Sequence, residues 1–300
     1  MTKPKDLNKE TDTKSRNFFL IHNYNTVPEE LVSLCEDYRI IDASDDAQVT
    51  EQLLDGDYSF EHVENTGHNL TSYFSYFADH HEELPDVMCL CKGNMIGRHV
   101  SREYFERAMS NTWFTYLYEE KAMRARYSRP TKEMLKENGG KDIGEGSIAC
   151  LLSECQYTEE NSSWYMQTGT HPYRYFRSYD ELLTFVYRDP VLPRRISFAP
   201  GGCYIVRREM VTRHGAAFYR NLNKVMNYTL EPGFPAEAFI VERMMPLIFE
   251  SNYEVNPWME DEMLFDERLA HQEELITRER AEAAGGKNVI GKLKRIWRGL

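Results

Sequence analysis

The sequence predicts an α/β fold in which helices cover a mostly parallel sheet. Through the first hundred residues, segments with the composition of strands alternate with segments of helical periodicity, as in parallel sheets. The most informative segment, residues 63–94, reads as a strand end, a tight turn, an amphipathic helix and a buried strand. Its apolar run at residues 86–91 lies between a Pro-Asp turn and a glycine, which is typical of a buried parallel strand. We therefore expect a single Rossmann-like domain, followed by a helical extension.

The individual elements follow from composition and capping signals. Pro28 opens the helix after the first strand, at a position where proline is tolerated, and Ser101 is a suitable N-cap for a later helix. Strands are predicted at residues 17–21, 39–42, 61–63, 86–91 and 203–206. Helices are predicted at residues 28–37, 70–78, 101–110, 113–126, 179–188, 209–227, 236–249 and 259–284.

Composition and charge limit the classes of function. The chain of 300 residues is 41% hydrophobic, which suffices for a sizeable core, and it has no run of about 18 apolar residues that would span a membrane. A net charge of −12 argues against nucleic-acid binding, because phosphate backbones need a basic face. The polar residues 1–16 predict a disordered lead-in rather than a secretory signal. The domain is expected at residues 17–258, a charged helix at 259–286 and a basic amphipathic tail at 287–300.

The cysteines do not have the paired Cys-x-x-Cys spacing of a zinc site. With no predicted secretory signal, we expect them to be reduced thiols in a cytosolic protein. They are Cys35, Cys89, Cys91, Cys150, Cys155 and Cys203.

The tail reverses the charge of the chain locally. Residues 287–300 contain five basic side chains and no acidic one, with apolar residues at spacings of three and four. This pattern predicts a helix in an anionic membrane interface, contacted through Lys292, Leu293, Ile296 and Trp297. The alternative is a helix that docks on an acidic face of this chain or of a partner. The first interpretation predicts a cytoplasmic protein, peripherally associated with the inner face of the membrane.

Polar side chains follow three of the predicted strands. Because the carboxyl ends of parallel strands meet at one edge of a sheet, where α/β proteins bind ligands, we expect these side chains to share a site. For some of them a structural role is the alternative, namely helix capping for Asn65 and an internal hydrogen bond for His22. The candidate residues are His22, Asn23, Asn65, Gly67, His68, Lys92, Gly93 and Asn94.

Short motifs follow one another at residues 65–68 (Asn-Thr-Gly-His), 84–86 (Leu-Pro-Asp) and 92–94 (Lys-Gly-Asn). Two later motifs lie at residues 202–209 and, as a Glu-x-x-x-x-Glu-Arg helix, at 237–243. In type and order these motifs resemble an uncharacterised family of glycosyltransferase-like domains. More distantly, they are similar to nucleotide-sugar-dependent glycosyltransferases of the GT-A fold. The resemblance implies a GT-A-like domain that moves a sugar from a nucleotide-sugar donor to a surface glycan or glycolipid acceptor, in polysaccharide biosynthesis. It also implies that the polar strand ends bind the donor.

Departures from the family pattern leave the cofactor open. GT-A enzymes that need a metal carry Asp-x-Asp at the end of the strand predicted here at 86–91, where this chain has Lys92-Gly93-Asn94. The arginine after the family's Asn-x-Gly turn is His68 here, and a literal Asp-x-Asp lies in a predicted loop at residues 55–57. The cofactor is therefore unknown. A divalent cation, Mn²⁺ or Mg²⁺, is one alternative, and a metal-free site in which Lys92 partly replaces the cation is the other.

Glu237 is the candidate catalytic residue. Sugar transfer with inversion requires a carboxylate that accepts the proton of the acceptor hydroxyl. Glu237 lies in the first turn of a predicted helix, where the helix dipole favours a charged carboxylate. The alternative is that Glu237 only caps its helix.

The acceptor is expected to bind where aromatic and basic residues occur together. Aromatic rings stack on sugars and arginines add charge, although such clusters also occur as internal packing. Adjacent glycines allow close approach of the backbone. The candidates are Tyr173, Arg174 and Tyr175, together with Gly201 and Gly202.

Two other functions remain alternatives to glycosyl transfer. The missing Asp-x-Asp also fits a non-catalytic nucleotide- or sugar-binding relative. The basic tail fits a protein-interaction module that contacts an assembly partner.

Overall fold

The computed structural model describes residues 14–66, 68–119, 157–167, 171–228 and 234–298, with side chains as far as residue 282. Its centre is a six-stranded sheet in the order β3-β2-β1-β4-β8-β5, and a two-stranded sheet pairs β6 with β7. The strands are β1 Phe18–Asn23, β2 Tyr38–Asp42, β3 Phe60–His62, β4 Val87–Lys92, β5 Thr115–Tyr116, β6 Tyr157–Glu160, β7 Arg195–Phe198 and β8 Tyr204–Arg207.

The central sheet is mostly parallel, as predicted. β1 pairs in parallel with β2 and with β4, and β2 pairs in parallel with β3. Only β8 runs against its neighbours β4 and β5 within this sheet. The chain adds β2 and β3 on one side of β1 and then returns to place β4 on the other side. The direction of winding therefore reverses between β1 and β4, which is the switch point at which open α/β sheets bind ligands.

Helices cover the sheet, and the one at residues 102–108 begins with the expected Ser101 cap. The Ser101 hydroxyl accepts a hydrogen bond from the backbone N–H of Tyr104 over 3.1 Å, and Asp46 caps α2 in the same way. The helices are α1 Glu29–Ser33, α2 Ala47–Asp55, α3 Leu70–Asp79, α4 Arg102–Ala108, α5 Tyr179–Val186, α6 Arg208–Val211, α7 Ala216–Met226, α8 Ala236–Glu250 and α9 Glu262–Arg298, with short 3₁₀ turns at Trp164–Gln167 and Pro257–Glu260.

The sheet separates two hydrophobic clusters. Successive side chains of a strand point to opposite faces, so Phe19 and Ile21 of β1 join one cluster with Phe105, and Leu20 joins the other with Phe74. These side chains are fully buried, and each contributes about 1.5–3 kcal/mol by leaving water. The packing of both faces fixes the positions of the strand ends that carry polar residues.

Two helix predictions are wrong, at residues 209–227 and at residues 113–126, of which 120–126 lie outside the described residues. Instead of beginning a helix at residue 113, the chain forms β5, which pairs with β8. The ring of Phe114 stacks on Tyr204 at 5.3 Å between centroids, so tertiary packing overrides helical periodicity there. The predicted helix at 209–227 is divided into α6 and α7, because the chain turns at residues 212–215.

The carboxyl extension is one helix rather than a helix and a separate tail. α9 runs for 37 residues through Gly285 and Gly286. A glycine costs a helix only about 1 kcal/mol relative to alanine, so two glycines do not have to end it. Phe265, Leu269 and Ile276 of α9 are buried against the domain. No helix in the described ranges is both long enough and apolar enough to cross a membrane.

The predicted lead-in falls mostly on residues 1–13, which lie outside the described part of the chain. Ser15 is buried. Its N–H donates to the carbonyl of Leu34 over 2.8 Å, and its carbonyl accepts from the N–H of Glu36 over 2.9 Å. The described chain therefore begins against the segment that joins α1 to β2.

Candidate functional site

A cavity of ≈ 160 Å³ opens at the carboxyl ends of β1 and β4, at the switch point of the sheet. Pockets that bury a whole drug-sized ligand enclose about 300–1,000 Å³, so this cavity holds only part of a ligand as large as a nucleotide sugar. The residues that line it are His22, Tyr24, Asn65, His68, Asn69, Lys92, Gly93, Asn94, Arg98 and Phe234.

The pattern of polar residues at the ends of predicted strands predicts most of this lining. Gly67, which it also predicts, lies outside the described residues. This pattern misses Tyr24, which belongs to the predicted polar tip after the first strand, and it misses Asn69. It also misses Arg98 and Phe234, and nothing in the sequence around Phe234 indicates its contact with the cavity. The lining residues that it predicts are His22, Asn65, His68, Lys92, Gly93 and Asn94.

The register of β1 and β4 sets the floor of the cavity. His22 and Lys92 are direct partners across these strands, and the N–H of Gly93 donates to the carbonyl of His22 over 2.8 Å. A Cβ atom at position 93 would lie 2.5 Å from Oδ1 of Asn23. Only glycine therefore allows the two strand ends to approach this closely.

Asn23 stabilises the turn next to the cavity without lining it, which corrects its assignment to the donor site. Its side chain is fully buried and is not part of the lining. Its amide nitrogen donates to Oδ1 of Asp42 over 2.9 Å, and its oxygen accepts from the Thr26 hydroxyl over 2.7 Å. Asn23 thus ties the turn after β1 to β2.

Two histidines of the lining are held in the neutral form. Burial lowers the pKa of His22 to about 3, and the charge of Lys92 adds to this effect. Burial also lowers the pKa of His68 to about 4; the nearby backbone of Met226 opposes the shift, and Lys92 reinforces it. Nδ1 of His22 is 2.9 Å from the Ser72 hydroxyl, whereas neither ring nitrogen of His68 makes a hydrogen bond of good geometry within the described residues. A neutral imidazole offers one donor and one acceptor to a ligand.

Two basic side chains make the cavity positive. Lys92 ends β4, and a tight turn then returns the chain, with the N–H of Arg98 donating to the carbonyl of Met95 over 3.1 Å. Gly97 has φ 77° in this turn, a conformation that favours glycine. Across the described ranges, no carboxylate lies within ion-pair distance of Lys92 or Arg98, and none lines the cavity. In a chain of net charge −12, this local positive charge fits an anionic ligand.

The lining does not fit the divalent cation that the resemblance allows. Mg²⁺ and Mn²⁺ prefer carboxylate and other oxygen ligands, and the lining offers no carboxylate. Within the described part of the chain, no group of three or more His, Cys, Asp or Glu side chains is arranged to hold a metal ion. The literal Asp-x-Asp at residues 55–57 lies at the end of α2, which returns the chain to the opposite edge of the sheet, where β3 begins.

Gly201 and Gly202 lie next to the cavity without lining it. Their φ angles are 96° and 63°, so both positions favour glycine. The carbonyl of Gly201 accepts a hydrogen bond from Nδ2 of Asn69 over 2.9 Å, and a Cβ atom at Gly201 would lie 2.9 Å from the ring of His99. The expected acceptor contact is therefore corrected to a turn that orients the lining residue Asn69.

Glu237 is buried in a cage of donors and does not line the cavity. Its Oε1 accepts the backbone N–H groups of Arg174, Tyr175 and Phe176 over 2.8, 2.7 and 3.2 Å. Its Oε2 accepts the hydroxyl of Tyr228 over 2.5 Å. Burial raises the pKa of Glu237, and these hydrogen bonds oppose the shift. With both oxygens occupied, the carboxylate organises the chain around it, and we correct its assignment as the catalytic base.

The aromatic and basic residues 173–175 include contacts to α9 and do not form an acceptor surface. Tyr175 is buried, and Nε of Arg174 lies 2.7 Å from Oε1 of Glu273. Arg280 donates to the carbonyl of Tyr173 over 2.6 Å and lies 4.5 Å from the centre of its ring. The expected contacts with a sugar are therefore corrected to internal contacts that hold α9 on the domain.

The proposed membrane residues Lys292, Leu293, Ile296 and Trp297 lie on the last turns of α9, where only the helical backbone is described.

Comparisons of the chain with protein-family models, curated proteins and solved structures find no match. Any function proposed for the chain therefore depends on the geometry and charge of the cavity.

Proposed function

We propose that the chain is a GT-A-like glycosyltransferase that binds a nucleotide sugar in this cavity and passes the sugar to a glycan or glycolipid. One observation carries the proposal: at the switch point between β1 and β4 lies a cavity with two basic side chains that have no carboxylate partner in the described part of the chain. Open α/β sheets bind ligands at this crevice. Lysine and arginine without carboxylate partners favour phosphate oxygens.

The lining residues suit the parts of such a donor. Negative charge grows on the diphosphate as the sugar leaves, and Lys92 at the cavity floor stabilises that charge. The neutral rings of His22 and His68 supply further hydrogen bonds. Tyr24 is 44% exposed, and its hydroxyl donates to Asp45 over 2.9 Å, so its ring face is available to stack on a nucleobase.

The second candidate is a nucleotide- or sugar-binding protein without catalysis. It is favoured by the absence of a carboxylate among the described lining residues, because inverting transfer needs a base for the acceptor hydroxyl. Release of free sugar from UDP-glucose or GDP-mannose by the pure protein favours the enzyme. Tight binding of these donors without turnover, in the presence of candidate acceptors, favours the second candidate.

Substitution of Lys92 tests the proposal directly. Lys92→Ala should weaken binding of UDP or GDP by about 1–3 kcal/mol, or roughly 5- to 150-fold, because a charge-assisted bond to the diphosphate is lost. Lys224→Ala is the matched control, since Lys224 pairs with Asp266 of α9 at 2.7 Å and does not line the cavity. Isothermal titration calorimetry measures both affinities. Equal affinities for Lys92→Ala and the unmodified chain would place the phosphates elsewhere.

The basic carboxyl segment supports a location for this activity. A helix with five basic residues and an apolar stripe binds anionic bilayers, and a glycolipid acceptor would be presented there. The proposed enzyme therefore acts as a peripheral protein on the cytoplasmic face of a membrane.

A further inference from the structure

We infer that Lys92 and Arg98 together replace a divalent cation, so that the cavity binds a nucleotide diphosphate in its metal-free form. This inference rests on the proposed function, because it specifies the form in which the same site takes its diphosphate. It follows from three features of the described residues. Two basic side chains have no carboxylate partner, the neighbouring carboxylates already have hydrogen-bond partners, and the other lining residues are uncharged.

Neither Lys92 nor Arg98 has a carboxylate partner within the described ranges. By contrast, Arg174 pairs with Glu273 at 2.7 Å, and the buried Arg243 pairs with Glu159 at 2.5 Å. Acidic residues outnumber basic ones in the chain, 48 to 36, so partners are plentiful. Two cations left unpaired at one cavity are therefore available to an anion from solution.

Two carboxylates that contact the lining residues or their support already have hydrogen-bond partners. Asp42 is fully buried and accepts hydrogen bonds from Asn23 and from the Ser44 hydroxyl, the latter over 2.6 Å. The Oδ2 atom of Asp45 accepts the Tyr24 hydroxyl and, over 3.2 Å, the amide of Asn65. A metal ion would have to break these bonds to gain an anionic ligand.

Glu242 is a further acidic group that interacts with a residue of the cavity lining, Lys92. Its Oε1 accepts the N–H of Gly201 over 2.8 Å, and its Oε2 lies 3.7 Å from Arg243. Burial raises its pKa, and the charges of Arg243 and Lys92 oppose this shift. Glu242 therefore already has a backbone donor and basic neighbours, and no carboxylate among the described residues lines the cavity to share a metal ion with it.

Charge balance completes the argument. The diphosphate of a nucleotide sugar carries two negative charges at neutral pH, and the two basic side chains neutralise them. Because His22 and His68 are neutral, the rest of the lining adds no net charge. A divalent cation would approach two like charges in this cavity without compensation. Metal bound to the free nucleotide therefore competes with the site instead of completing it.

Calorimetric titration of the full chain with UDP and with GDP, in EDTA and in MgCl₂ or MnCl₂ at constant ionic strength, tests the inference. We expect the affinity in EDTA to equal or exceed the affinity with metal. Lys92→Ala and Arg98→Ala should each lose at least fivefold in EDTA, whereas Arg98→Lys, which keeps the charge, should lose less than Arg98→Ala. Lys224→Ala should bind like the unmodified chain. If Lys92→Ala does not fold by circular dichroism, Lys92→Met, with a side chain of similar length, replaces it.

The outcomes separate this inference from the proposed function. A tenfold or greater gain in affinity with Mg²⁺ or Mn²⁺ would overturn the metal-free inference and leave the nucleotide site intact. Unchanged affinity in both Lys92→Ala and Arg98→Ala would also overturn it, because the diphosphate would then lie elsewhere. If neither nucleotide binds the unmodified chain in either condition, the proposed function fails, and the inference fails with it.

Discussion

Replacement of Glu237 should destabilise the fold. The carboxylate receives three backbone N–H groups and one tyrosine hydroxyl. Glu237→Ala leaves these four donors without their acceptor, and at about 1 kcal/mol each, the low end for an unsatisfied buried group, the free energy of unfolding falls by about 4 kcal/mol. Glu237→Gln keeps an acceptor oxygen but loses the charge. Because charge-assisted bonds are roughly twice as strong as neutral ones, we expect it to lose about 2 kcal/mol.

Urea unfolding followed by circular dichroism measures both values, provided that the slope with denaturant stays constant. Glu273→Gln is the matched control. Its carboxylate is 37% exposed and pairs with Arg174 on the surface, and such pairs contribute about 0–1 kcal/mol. An unfolding free energy for Glu237→Gln equal to that of the unmodified chain, together with loss of sugar transfer, would refute our structural interpretation. It would restore Glu237 as the catalytic base.

Three further changes have defined expectations. Gly201→Ala should lower the free energy of unfolding by about 1–3 kcal/mol in urea titrations, because φ is 96° and the new Cβ would lie 2.9 Å from His99; Gly215→Ala, whose Cβ meets nothing within 4 Å, should have a smaller effect. Burial lowers the pKa of His22, His68, His99 and His214 to between about 3 and about 4, below the usual histidine pKa of about 6.5. The unfolded chain therefore binds more protons between these values, and stability, complete above pH 6.5, should fall as the pH is lowered toward 4; His214→Gln should flatten that slope. A chain ending at Gly286 should stay folded and lose binding to anionic vesicles in co-sedimentation, and high salt should weaken binding of the full chain without abolishing it; equal binding by the shortened chain would place the membrane contact elsewhere.

The parallel half of the fold is predictable because its signals are local. An apolar run of strand length and the helix before it can be read within residues 63–94, and the alternation of such units implies a parallel sheet. The antiparallel strand β8 is also predicted, at residues 203–206, but its neighbour β5 is not. β5 forms because Thr115 pairs with Ile205, 90 positions away in the numbering of the two residues, and the residues around 115 carry no sign of that pairing.

The candidate site also contains parts that the sequence predicts and parts that it does not. The cavity floor is predictable because His22 and Lys92 end parallel strands, and such ends meet at one edge whatever the remaining sequence is. The Glu237 cage is not predictable, because its donors at residues 174–176 are 61 to 63 positions away. A glutamate in the first turn of a helix looks the same whether it faces a substrate or buried backbone amides.

What separates a ligand-binding residue from a structural one in this chain is therefore its partners rather than its type. Arg174 and Arg98 are both exposed arginines, yet Arg174 pairs with Glu273 whereas Arg98 shares the cavity with Lys92 and no described carboxylate. Two like charges at one cavity repel each other and oppose folding, so their placement costs stability. Local conflicts of this kind are expected at functional sites, where an anionic ligand removes the repulsion on binding. The same reasoning explains why the positive charge and the missing carboxylates favour one ligand class, a diphosphate that brings its own negative charge and needs no metal to offset it.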